Sequence, residues 1–229
     1  MFKKKEFNKY IPTYNKHLYS GFIGKLMKKN HDLMEKNFKL FNEDSEVLEI
    51  GAGTYPHVIH LKHKYKNYHI SDIDNDDFLE EFYQKFNEEV IFKKTDGINF
   101  EYKKKTFDRI IISHCLEHVN YPDIFLDKIV NLLKDDGILS VSLPTDPGLL
   151  WRTGRFFIKR IFQKKTHNMD KNDYEYINAI EHVNSIFNLK IILKKKLTLL
   201  NEIHYPLSLP FPDLNIFYIA DFKKLTKFK

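Results

Sequence analysis

Residues 107–113, FDRIIIS, constrain the fold more than any other stretch of this chain. The three consecutive isoleucines leave no polar alternation, which marks a strand buried on both faces. A sheet covered on both sides needs helices above and below it. The flanking sequence supplies them. Short β-rich runs at 45–50 (SEVLEI), 68–72 (YHISD), 90–92 (VIF) and 138–143 (ILSVSL) alternate with helical spacing at 56–66, 76–87 and 122–133. Ile124, Phe125, Ile129, Leu132 and Leu133 are expected to face inward from the last of these, and Asp136-Gly137 to turn the chain into the fifth strand. Strand–helix alternation of this kind predicts a parallel α/β sheet with right-handed crossovers. Residues 1–44 read as one or two preceding helices. Residues 144–187 read as a helical, aromatic and basic cap, and 189–200 and 216–222 as two closing strands. No linker or repeat divides the chain, so 1–229 is read as a single domain with its core at 45–143 and its closing segment at 188–229.

Glu49-Ile50-Gly51-Ala52-Gly53 joins the first strand to the segment opened by Pro56. Glycines there let the backbone turn sharply and approach a ligand, as a nucleotide-binding loop requires, although an ordinary strand-to-helix turn uses them too. The dinucleotide fingerprint needs glycine where Pro56 stands, which disfavours a hydride-transfer cofactor. Asp72 ends the second strand about 20 residues on, a position from which a carboxylate accepts from both ribose hydroxyls. Asp74 is a neighbouring candidate.

Taken in order, VLEIGAGT, SDID, TDGINF, FDRIIISHCLEHV and FLDKIVNLLKDDGILSVSLP resemble the class I S-adenosylmethionine (SAM)-dependent methyltransferases over residues 47–144. That resemblance implies a Rossmann-like, mostly parallel seven-stranded sheet with helices on both faces and an antiparallel strand near the C-terminus. It implies SAM as cofactor and S-adenosylhomocysteine as product. Cofactor contacts are implied for Glu49, Gly51, Ala52, Gly53, Asp72, Asp96, Gly97, Ser113 and His114. The chain departs from the family at Tyr55, where a third glycine is common, so Tyr55 either covers the cofactor or changes how its carboxylate end is held.

His114-Cys115-Leu116-Glu117-His118 also fits H-x-x-E-H, an inverted zinc-protease pattern. Zinc would need both histidines on one helical face and a third ligand. Because His114 follows a buried strand, the pair is expected in a strand-to-helix turn and no metal is predicted. The methyltransferase resemblance puts L-E-H-V at the rim of the active site. There His118 suits either a general base or a structural cap of the next helix. Cys115 reads as a packed small residue.

Ligands of parallel α/β sheets sit beyond the carboxyl ends of the strands, which directs attention to Asp146 and to the segment carrying Trp151, Arg152, Arg155, Lys159 and Arg160. This segment suits a lid gripping phosphate or carboxylate, an interfacial helix on a membrane, or a packed helix with a solvated basic face. Glu181-His182-Val183-Asn184 adds a second carboxylate–imidazole pair. Catalysis is therefore assigned to His118, His182 and Glu181, and acceptor binding to Asp146, Trp151, Arg152, Arg155 and Asn184. EHVNSIFNL and YPLSLPFPDLN further resemble methyltransferases of bacterial surface-polysaccharide clusters. That likeness implies O-methylation of a sugar or a phosphate-linked sugar.

Composition narrows the alternatives. The net charge of +6 and pI near 9.0 come from scattered lysines rather than a compact basic motif, so nucleic acid is a disfavoured partner. No apolar run reaches the roughly 20 residues of a membrane span, and one cysteine precludes an internal disulfide. A cytoplasmic location follows as an expectation. The competing functions are RNA or protein methylation, and non-catalytic SAM binding.

Overall fold

The computed structural model describes residues 20–36, 41–53, 55–73, 90–95, 99–165, 176 and 179–225. The expected helix at 76–87, together with Asp74, Asp96 and Gly97, lies outside them.

Seven strands form one sheet: β1 (Glu46–Ile50), β2 (Asn67–Asp72), β3 (Val90–Lys94), β4 (Phe107–Ser113), β5 (Leu133–Pro144), β6 (Leu197–Pro206) and β7 (Asn215–Lys224). Their order is β3-β2-β1-β4-β5-β7-β6. The first five are parallel, whereas β7 runs antiparallel between β5 and β6. This is the Rossmann-like arrangement expected from the sequence. The isoleucines of β4 are fully buried, as their unbroken apolar run requires.

Helix α1 (Gly21–Met34) covers one face, burying Met27, Asn30, His31 and Met34 at helical spacing. On the other face α2 (Pro122–Leu132), opened by proline in its first turn, buries Phe125, Leu126, Ile129 and Leu132. Ile124, expected inward, is exposed, and Leu133 already belongs to β5. The Asp136-Gly137 turn is an irregularity inside β5, where pairing with β4 jumps from Leu133 to Ile138. Helix α3 (Leu149–Lys165) follows β5.

Two expectations need correction. Residues 56–66 form only a 3-10 turn at His57–His60. Side-chain acceptors replace the helix ladder there: Glu49 takes the His57 N–H, and Glu35 takes that of Lys62. Residues 189–200 are mostly helix, α4 (Ile186–Lys196), and β6 starts only at Leu197. Ser185 caps α4 by accepting from the Asn188 N–H. Ile186, Leu189 and Leu193 then face inward at i, i+3 and i+7.

Candidate functional site

The carboxyl ends of β1, β4 and β5 lie side by side, and the chemistry-bearing residues gather there. Gly51 and Gly53 both adopt left-handed backbone, with φ of 71° and 54°. A Cβ on Gly51 would sit 2.6 Å from the Cys115 sulfur, so Cys115 is the small packed neighbour the loop needs. A Cβ on Gly53 would meet nothing within 4 Å. On that open side Asp72 accepts from the Gly53 N–H through Oδ2 (2.9 Å) and from the Ile73 N–H through Oδ1 (2.7 Å). A carboxylate in this position is of the type that accepts from vicinal hydroxyls. At the end of β4, the Ser113 hydroxyl is buried without a protein partner. An open glycine turn, a carboxylate and an unpaired hydroxyl fit a ribose-bearing cofactor. Ala52 is buried within the turn, and its carbonyl accepts from the Tyr55 N–H (3.2 Å).

Glu49 faces the other way. Its carboxylate is 1% exposed and accepts from the His57 N–H (2.8 Å) and the Tyr68 hydroxyl (2.7 Å). Burial raises its pKa to about 7, against the opposing pull of those hydrogen bonds. It braces the glycine loop from behind rather than lining the open side.

Behind Glu49 lies a buried polar cluster whose tautomers can be read from its partners. The Arg109 guanidinium, wholly buried on β4, donates to Glu35 and to Nε2 of His63 (3.0 Å). His63 must therefore carry its proton on Nδ1, which donates to the Lys64 carbonyl. His57 Nε2 donates to Glu35 (2.9 Å), leaving Nδ1 to accept from His31 Nδ1 (2.8 Å). His60 bridges Asp32 and the Tyr55 hydroxyl and stacks on His31. Tyr55 is thus part of this brace. Burial holds His31, His60 and His63 below the ordinary imidazole range and pulls His57 down to about 4. Burial would raise Glu35, but His57 and Arg109 bring it down to about 2.

On the opposite side of the loop, the HCLEH segment leaves β4 as a turn. His114 has φ 50°, and Leu116–His118 is a 3-10 turn. Asn30, its amide fixed by the Ser142 hydroxyl (2.6 Å), donates to His114 Nε2 (3.3 Å). His114 is consequently occupied. His118 Nδ1 donates to the Glu181 carbonyl (2.8 Å), while the Glu181 carboxylate lies 3.7 Å away. His182 Nδ1 donates to Asp146 Oδ2 (2.9 Å), which Arg155 also approaches at 3.3 Å. Burial would raise the Asp146 pKa; His182 and Arg155 together depress it.

The two imidazoles meet edge to face at 5.0 Å, and Trp151 stacks on His182. Each histidine has Nδ1 committed; Nε2 of His118 faces Glu117 Oε1 at 3.9 Å, and in His182 Nε2 keeps the lone pair. Asn184 gives its amide to the carbonyls of Leu116 (3.1 Å) and Val119 (2.5 Å), clipping 181–184 to the 116–119 turn. Arg152 points outward, away from these groups.

Sequence reasoning passed over one residue. Glu117 is 2% exposed, and its Oε2 has no hydrogen-bond partner. Its Oε1 lies 3.6 Å from His114 and 3.9 Å from His118. Burial pushes the carboxyl up, but the surrounding histidines bring it below the ordinary range. The signal was its place in L-E-H-V, between two histidines already singled out.

The family described as Methyltransferase domain matches residues 19–195. N-methyltransferase 4 of Papaver somniferum is 33% identical over 97 residues, covering 39% of this chain and 27% of that protein. (S)-Tetrahydroprotoberberine N-methyltransferase of Eschscholzia californica is 31% identical over 103 residues, covering 42% and 29%. The matched stretch thus spans less than a third of these curated relatives. The fold is similar to N-methyltransferase NodS from Bradyrhizobium japonicum WM9, crystallised with S-adenosylhomocysteine, with a TM-score of 0.62 at 16% identity over 92% of this chain and 91% of that one.

Proposed function

The chain belongs to the family of methyltransferase domains, and from that premise we propose that it methylates a hydroxyl of a small acceptor held between the ends of β4 and β5. Bound SAM supplies an electrophilic methyl group on sulfur. Gly51, Gly53, Asp72 and Ser113 are the residues that would hold it.

The Asp146–His182 hydrogen bond carries this reading. A neutral hydroxyl is a poor nucleophile, and a base that accepts its proton during attack is worth roughly 10²–10⁴ in rate. Asp146 fixes the tautomer that presents Nε2 as acceptor and stabilises the imidazolium that forms. Trp151, stacked on the ring, excludes water from one side. His118, pinned at the Glu181 carbonyl, sits where it can orient the same hydroxyl. The sugar character of the acceptor rests on the sequence resemblance at 181–189 and 205–215.

A second reading, methylation of an amine, is supported by Glu117. Its unpaired, buried Oε2 suits holding an ammonium group and taking the proton that must leave before the nitrogen lone pair attacks the methyl group, and the similar curated proteins bear N-methyltransferase names. One experiment separates the two. Purified protein with SAM is assayed against nucleotide sugars and small amines, using wild type, His182→Ala and Glu117→Gln. Hydroxyl products lost on His182→Ala uphold the first reading. Amine products lost on Glu117→Gln, but retained on His182→Ala, replace it. Calorimetric titration with S-adenosylhomocysteine, weakened by Asp72→Ala, tests the cofactor site separately.

A further inference from the structure

Over residues 149–157, helix α3 presents two faces. Trp151 and Arg155 turn toward His182 and Asp146. Leu149, Arg152, Phe156 and Phe157 turn outward, with Leu149 58%, Phe156 51% and Phe157 63% exposed. Large apolar side chains at i, i+7 and i+8 form a stripe that the protein's own core does not use. Across residues 149–165 the sequence has no acidic residue and six cations; Arg155 pairs with Asp146, whereas Arg152 is exposed on the outer face.

The loop after β6 extends this stripe. Leu207, Leu209 and Phe211 project from it and are all exposed. Asn215, wholly buried, receives the Leu207 N–H (3.0 Å) and donates to the carbonyls of Leu209 (2.8 Å) and Phe211 (2.9 Å). Loop backbone groups satisfied in this way can enter an apolar medium at far less desolvation cost. The loop joins α3 directly. The Leu149 N–H donates to Asp213 (3.0 Å), and Gly148 packs so closely that a Cβ would lie 2.7 Å from the Pro212 carbonyl oxygen. Because β6 runs parallel to β5, this surface borders the same sheet edge as the Asp146–His182 pair.

We propose that the outer face of α3 and the 207–211 loop form a docking surface for an anionic lipid bilayer. The apolar side chains enter the headgroup boundary while the helix cations meet lipid phosphates, as in interfacial amphipathic helices. Charge selects this occupant over a second copy of the chain, which would bring two cationic helices together. Docking brings the helix whose inner face carries Trp151 and Arg155 to the membrane surface, beside the acceptor site. An acceptor carried on a lipid would then reach it without leaving the bilayer, a consequence that rests on the proposed acceptor side.

The test is co-sedimentation of the full chain with vesicles of phosphatidylcholine alone or mixed with phosphatidylglycerol, at low and high salt. Binding to the anionic vesicles, weakened by salt and by omission of phosphatidylglycerol, is expected. Phe156→Ser/Phe157→Ser and Leu209→Ser/Phe211→Ser should each lower partitioning by about 10-fold or more. Their thermal midpoints should stay at wild type, since these side chains are exposed. No binding to anionic vesicles overturns the proposal, as does binding indifferent to both double variants. Sedimentation velocity showing a dimer that either variant dissociates assigns the surface to a second copy instead. None of these readouts depends on methyl transfer, so failure here is distinct from failure of the enzymatic reading.

Discussion

Two groups of histidines flank the glycine loop, and they differ in what the protein leaves undone. Behind the loop, His31, His57, His60 and His63 have their ring nitrogens drawn into a cluster with Glu35, Asp32, Arg109 and Tyr55. In front of it, His118 and His182 each donate one hydrogen bond from Nδ1, and His118 Nε2 also lies 3.9 Å from Glu117. The imidazole is the same in both places. Burial within a hydrogen-bonded cluster makes it a brace, whereas anchoring beside a partly open site suits it to the proposed role of base. Titratable groups therefore mark function only when a lone pair remains available.

The sharpest way to break this comparison is to open the rear cluster. Glu35→Ala removes the carboxylate that pairs with the wholly buried Arg109, and removing one partner of a buried ion pair costs about 3–5 kcal/mol. Urea denaturation should show that loss; a midpoint near wild type would mean the cluster braces nothing. The front pair should respond in the opposite way. His182→Ala is expected to lower turnover by about 10²–10³-fold, equivalent to about 3–4 kcal/mol of activation free energy. Its denaturation midpoint should barely move, and its affinity for S-adenosylhomocysteine should stay within about 3-fold of wild type. A His182→Ala protein that turns over normally but unfolds readily would place it with the rear group.

Acid sharpens the contrast next. The unfolded chain takes up protons near the ordinary imidazole value, while folded His57 resists until about pH 4. Stability therefore falls as pH drops from about 6.5 towards 4, by about 3 kcal/mol from His57 alone. His31, His60 and His63, also held low, act with the same sign. Glu49 acts against them. Its folded pKa of about 7 lies above the unfolded value, so its contribution is present at low pH and is lost as pH rises. Four histidines outweigh one carboxyl, and urea midpoints should rise between pH 4.5 and 6.5. Glu49→Gln removes the opposing contribution and should steepen that rise; a flat profile would contradict the neutral tautomers deduced for the cluster.

The same contrast explains what the sequence could disclose. The five parallel strands, the glycine turn and the place of Asp72 at the end of β2 were legible because their signals are local: β-branched runs, a G-x-G, a carboxylate at a strand end. The Asp146–His182 pair was half legible, since both residues were singled out but their contact joins positions 36 apart. The rear brace was not legible at all. His57, His60 and His63 find their partners on α1 and β4, and those partners remove the helix that spacing at 56–66 predicts. The strand expected at 189–200 failed for a different reason. Its isoleucines favour extended backbone, but the Ser185 cap and the 186-189-193 spacing settle it as helix.

Asn184 supplies the smallest and most discriminating prediction. Sequence assigned it to the acceptor, yet its amide is spent on the Leu116 and Val119 carbonyls. Those two bonds hold the segment bearing His182 against the turn bearing His118, and so set the 5.0 Å separation of the rings. Asn184→Ala should cost about 1 kcal/mol of stability, as one or two net hydrogen bonds do. Turnover should fall about 5–10-fold, because a base displaced by a fraction of an ångström loses much of its effect. A clip acts on kcat, by misplacing the base in every bound complex. A direct acceptor contact acts first on KM. Steady-state kinetics of Asn184→Ala and Asn184→Asp therefore divide the two roles. A kcat loss in both variants, with KM near wild type, makes Asn184 the strap between the open histidines. A rise in KM with unchanged kcat would return it to the acceptor pocket.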